Sequence, residues 1–220
     1  MLITTTMRCI LLKAPHSPSR TIMIRTKFLV VMRNLTVLTT VLATPNLLAH
    51  WTLNNDFSQL SFVTVKAGNV GEVHKFNSLA GTLSDDGTLS VTIQLASVDT
   101  LIPIRDERMQ EFLFETNLFP TATFTANLDM EHVENLQIGS GTVLDITGVL
   151  AIRETKLPLA LKVVATRFAS RGVLVNTLQP IILNADSIGL SQGVEKLREL
   201  AGLPSISSAV PISFTLTFNG

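Results

Sequence analysis

The chain has 220 residues, with 17 basic and 17 acidic side chains, but the balance is uneven. Every acid lies at Asp56 or later, whereas six of the 17 basic residues precede position 50, so residues 50–220 hold 11 basic against 17 acidic groups. That excess of acid excludes the extended cationic surface a nucleic-acid partner requires, and the only cysteine, Cys9, leaves those residues without a disulfide or a thiolate metal ligand.

Residues 1–49 read as targeting sequence. Arg8, Lys13, Arg20, Arg25, Lys27 and Arg33 lie there without a single acid. Met32-Arg33-Asn34 precedes an apolar run, Leu35–Ala43, and Leu47-Leu48-Ala49 then offers a small residue before His50-Trp51. A positive start, an apolar middle and a small residue at the cut are the order of a secretory signal. The run is too short for a membrane span, which needs about 20 residues. Met32–Ala49 is nearly complete as a signal by itself, so residues 1–31 read as an upstream extension. The expectation is a periplasmic or secreted protein whose mature chain has no stable membrane span. The domain division is 1–49 as signal and extension, and 50–220 as one folded domain.

From Trp51 onward short alternating runs recur, which is strand spacing. Phe62 and Thr64 oppose Ser61, Val63 and Val65. Asp85-Asp86-Gly87 is a turn signal joining Ala80–Ser84 to Thr88–Ser97 as a hairpin. Within Leu101–Phe124 the period changes: Met109, Phe112 and Leu113 lie three and four apart, which predicts a short helix with one apolar stripe. Alternation resumes over 119–130. Leu144, Ile146, Gly148, Leu150 and Ile152 share one strand face, and Leu157, Leu159, Leu161 and Val163 another, with Pro158 marking an edge, an end or a bulge. Val173–Val175 and Ile181–Asn184 follow. Val194–Leu200 is a second short helix, stopped by Gly202 and Pro204. The chain closes with Ile212, Phe214, Leu216 and Phe218 in alternation. About eight antiparallel strands with one or two short helices predict an all-β barrel or sandwich.

Nothing in this pattern carries catalysis. There is no G-x-S-x-G, H-E-x-x-H or Gly-rich phosphate loop. His74 falls in the polar stretch Gly68–Ser78 and His132 follows Glu131, so both read as surface-loop histidines rather than metal ligands. Asp99 and Asp106 could supply an acid and a base. Asp106 beside Arg105, Glu107 and Arg108 reads instead as a helix-start contact. No catalytic residue, metal ligand or cofactor is assigned. Phe112, Phe114, Phe119 and Phe124 fall within 13 positions. They read either as solid core or as the wall of a cavity, and periodicity does not separate the two.

Several segments resemble the YceI family. Trp51–Phe62 is similar to its opening strand, and Ser97-Val98-Asp99-Thr100 with Arg105-Asp106, Phe112 and Pro120–Phe124 to its most distinctive block. Ile146–Arg153 through Lys156–Leu159 resembles its Gly-containing hairpin, and Ala185–Leu190 a worn form of its Arg-x-Asp-Phe-Gly segment. The chain departs from the family at polar positions: Phe57, Ala67, Glu154, Ala185 and Ser187 replace residues common there. The resemblance implies a lipocalin-like barrel of about eight antiparallel strands, and a non-enzymatic protein that binds an isoprenoid quinone, a polyprenyl or a fatty chain. It implies a cavity wall containing Phe62, Leu95, Phe112, Phe114, Phe119, Phe124, Leu144, Leu150, Ile152, Leu159, Leu161, Phe214 and Leu216, with the Phe112 helix gating the mouth. Two alternatives stay open: a lipid-modifying enzyme using Asp99 or Asp106 with His74, and a barrel with a solid core. Oligomeric state, a homodimer included, is also open.

Overall fold

The computed structural model describes residues 50–220; the targeting expectation for 1–49 lies outside the described residues. Twelve strands run β1 His50–Leu53, β2 Gln59–Lys66, β3 Val70–Phe76, β4 Leu79–Ser84, β5 Thr88–Gln94, β6 Val98–Asp99, β7 Thr121–Asn127, β8 Gly141–Ile152, β9 Thr155–Ala169, β10 Gly172–Thr177, β11 Ile181–Asn184 and β12 Ala209–Asn219. Eight of them close a ring in the order β1-β4-β5-β7-β8-β9-β10-β12, with β12 returning to β1, and every pairing in it is antiparallel. Closure removes the sheet edges that an open sheet would leave unpaired.

β1 and β2 are one strand bent at a 3-10 turn, Asn55–Phe57. The Asn54 side chain accepts from the Asp56 N–H, Ser58 Oγ accepts from the Thr217 N–H, and Thr217 Oγ1 donates to the Phe57 carbonyl. The bend lets β12 pair with β1 at Leu53–Phe218 and with β2 at Phe214–Leu60. β2, β3 and β6 therefore extend the wall as a flap beyond the ring.

The Asp85-Asp86-Gly87 turn closes as expected. Gly87 has φ of +85°, a conformation that costs glycine nothing and a side chain dearly. Pro158 lies inside β9, but residues 155–162 of that strand pair only with β8, and β10 joins from Val163 onward. No ladder bond needs the missing Pro158 N–H.

Among the described residues, three helical excursions are longer than a single 3-10 turn. Helix α1, Pro103–Arg108, runs directly into a π-helical turn, Met109–Phe114, which ends with Glu115 in the left-handed region. A short α2 covers Glu131–Glu134, and α3 covers Ser191–Leu200. α3 packs on the π turn through Gly193: a Cβ there would lie 2.7 Å from both Leu113 Cα and the Phe112 carbonyl. Among the described residues no helix is long and apolar enough to cross a membrane.

Candidate ligand cavity

Alternation along the strands points one set of side chains into the ring. Leu89, Val91 and Ile93 come from β5, Ala122 and Phe124 from β7, Leu144, Ile146, Leu150 and Ile152 from β8. Leu159, Leu161 and Ala165 come from β9, Val173 and Val175 from β10, and Ile212, Phe214, Leu216 and Phe218 from β12. They do not meet in the middle. They enclose a void of about 460 Å³, within the size range of small-molecule sites, so the interior is hollow rather than solid.

Of the cavity residues expected from the sequence, all but Phe112 and Phe119 border this void. Both exceptions have a physical cause. An α-helix would set Met109, Phe112 and Leu113 on one face, but the segment winds as a π turn with one more residue per turn. That rotation buries Met109, Leu113 and Phe114 and leaves Phe112 outside the cavity wall. Phe119 lies outside the wall with the Arg153 guanidinium 5.3 Å from its ring centroid, a cation–π contact. Arg153 is also paired with Glu115.

The polar side chains among the lining residues are Thr64, Lys66, Glu72, Arg105, Arg108 and Ser207, and they gather at one end. The inward face of β2 runs Leu60, Phe62, Thr64, Lys66, and that of β3 runs Phe76, His74, Glu72. The two faces are in register as Leu60–Phe76, Phe62–His74 and Thr64–Glu72. The wall thus passes from apolar to charged along one strand pair. Lys66 Nζ lies 2.8 Å and Arg105 Nη1 2.5 Å from the same Glu72 oxygen. The Lys66 hydrogen bond first, then Arg105, hold the Glu72 carboxyl below its ordinary pKa, against the opposing effect of burial. Ile102, Ile104 and Ala201 are the exposed members of the wall, and they lie at this same end. The charged end is therefore the mouth, framed by α1, the end of α3, the flap and the 203–207 loop. Its base is tied down: the Thr100 N–H and Oγ1 donate to Asp106 Oδ1 at 2.8 and 2.6 Å, and the Leu101 N–H donates to Asp99 Oδ1 at 2.9 Å. Asp106 supports the start of α1, as expected.

His74 is not in a surface loop. It sits in β3 at 3% exposure. Its Nε2 is 2.9 Å from Thr64 Oγ1, its ring is 5.2 Å from that of Phe62, and Nδ1 has no hydrogen-bond partner. An aromatic series Phe114–Phe76–Phe62–His74 links the π turn to the flap. His132 is exposed and paired with Asp129. Asp99, Asp106 and His74 do not line the cavity; Asp99 and Asp106 are engaged in hydrogen bonds within the protein, and His74 is engaged through Nε2 alone.

Sequence reasoning missed the charged mouth. Lys66, Glu72, Arg105 and Ser207 belong to four separate segments. The one signal available was the parity of β2, in which Lys66 falls on the face that buries Leu60 and Phe62.

A model of the YceI-like domain matches residues 51–218. No curated protein sequence matches. Among solved structures, the chain is similar to a polyisoprenoid-binding domain from Saccharophagus degradans implicated in plant cell wall breakdown. That similarity has 32% identity and a TM-score of 0.76, covering 79% of this chain and 99% of that one. It is also similar to Burkholderia cenocepacia BcnA, with 17% identity and a TM-score of 0.58, covering 75% of this chain and 98% of that one. The barrel architecture, the span of the domain match and the agreement with a relative at that identity lead to one conclusion: the chain belongs to the YceI-like family.

Proposed function

We propose that the protein is an exported carrier that holds one long-chain amphiphile, isoprenoid or fatty, with its tail inside the barrel. The observation that carries this reading is the wall. Apart from the six polar residues at the mouth, every side chain bordering the void is apolar. Such a surface is poorly hydrated when empty and gains by exchanging water for hydrocarbon. Each buried methylene contributes about 0.8 kcal/mol, so a chain of roughly ten buried carbons binds firmly with no strong polar contact. The polyisoprenoid-binding relative supports the same class of ligand. Binding rather than catalysis fits a site where no base, nucleophile or metal-ligand set faces the tail. Export is proposed from the acid-free, signal-like order of residues 1–49, ahead of a domain match that begins at Trp51.

A chain-length series tests the carrier reading. Affinity for saturated acids is expected to rise about fourfold per added methylene and then level off once the cavity is full. A flat series, or binding that keeps rising with no plateau, would place the chain elsewhere than in the barrel.

A further inference from the structure

The mouth has more positive charge than it uses. Lys66 and Arg105 share the single carboxylate of Glu72. Arg108, one turn along α1 on the same face, lines the cavity with only the Leu200 carbonyl as partner, at 3.3 Å. The Arg105 Nε–H is buried and has no acceptor within the protein, a deficit that costs free energy. The other acids near α1 do not redress the balance at the cavity. Asp106 is engaged with Thr100, Glu107 is exposed, and neither lines the void. Three cations and one carboxylate thus line the end of the cavity where an amphiphile bound tail-inward must leave its head.

We propose that the head group is anionic, a carboxylate or a phosphate, and that it is held by Lys66, Arg105 and Arg108 at the mouth. The inference rests on the carrier reading and adds the charge class of its ligand. A guanidinium fork matches two oxygens of either head, and charge-assisted hydrogen bonds at a half-buried rim are stronger than the same contacts in open water. A cationic head would meet net repulsion. A neutral alcohol would leave the excess charge unanswered.

The test compares heads on one tail. Dodecyl phosphate, dodecanoate and dodecanol are titrated into delipidated full-length protein at low ionic strength, with inorganic phosphate as the head without its tail. Both anions are expected to bind about tenfold or more tightly than dodecanol, and inorganic phosphate to bind far more weakly than dodecyl phosphate. The double variant Lys66→Gln/Arg108→Gln should weaken both anions about tenfold, towards dodecanol, with a cooperative thermal transition reporting an intact fold. The charge-keeping Arg108→Lys should retain the preference. Equal affinity for dodecyl phosphate and dodecanol in the wild type overturns the anionic-head proposal and leaves the carrier reading standing. Inorganic phosphate binding as tightly as dodecyl phosphate also overturns it, because the head would then need no tail. Failure of all three twelve-carbon chains overturns both.

Discussion

Replacing Ala165 with Trp is expected to lower the affinity for a sixteen-carbon chain roughly a hundredfold while leaving the barrel folded. Ala165 lies on β9 with its methyl group facing the void and is 1% exposed. It pairs with Val175 of β10 and Thr142 of β8, so an indole at this position can only enter the space a ligand would occupy. Displacing between about three and four methylenes at about 0.8 kcal/mol each accounts for the loss. Enlarging a side chain in a filled core usually costs about 1–3 kcal/mol, but here the added ring meets empty volume, so the thermal midpoint should move little. Ala160→Trp, on the same strand with its side chain exposed, is the control and should bind as the wild type does. The readout is displacement of a fluorescent polyene fatty acid. Unchanged affinity in Ala165→Trp would mean that the tail does not occupy the barrel.

Stability is expected to fall as the pH drops below about 6.5, and His74 is expected to be the main cause between pH 7.5 and pH 5. Burial, reinforced by the Arg105 cation, holds the ring below its ordinary pKa of 6.5, so the folded protein keeps it neutral. Glu72 and Asp106 act in the opposite direction without overcoming these effects, and Lys66 adds to them. The sign follows from linkage. The unfolded chain takes up the proton at the ordinary value while the folded one resists it, so lowering the pH favours unfolding until the folded ring itself protonates. Glu72, whose folded pKa is depressed, contributes its own loss only lower, as the pH falls through the carboxylate range. His74→Gln keeps a partner for Thr64 but cannot charge. Its urea midpoint should change little over this interval, whereas the wild-type midpoint should drop. Parallel decline of the two proteins would remove His74 as the cause.

Where one face of a strand is uniformly apolar, the sequence was enough to place it. The β4–β5 hairpin, β7, β8, β9 and β12 follow from alternation and from Asp85-Asp86-Gly87. β3 does not, because its polarity is inverted: Val70 and Val73 face solvent while His74 is buried and Glu72 lines the cavity. A flap that carries charge to a cavity mouth breaks the rule that sequence reading depends on. The π turn was equally hidden, since a spacing of three and four assumes an ordinary helix, and the extra residue per turn exchanged Phe112 for Phe114. Aromatic density alone misled at Phe119, which serves Arg153 rather than a ligand. The cavity wall was largely legible because it is made of strand faces. Its charged end was not, because its members come together only when the flap, α1 and the 203–207 loop meet.

The most direct measurement is native mass spectrometry, with lipid extraction, of the protein purified from its own host. One long-chain hydrophobe per polypeptide, lost on delipidation and lost from Ala165→Trp prepared in the same way, is the expected result. A wild-type protein that leaves its host carrying no such molecule, and that takes none up when offered, would contradict the claim that the barrel is built to hold a chain.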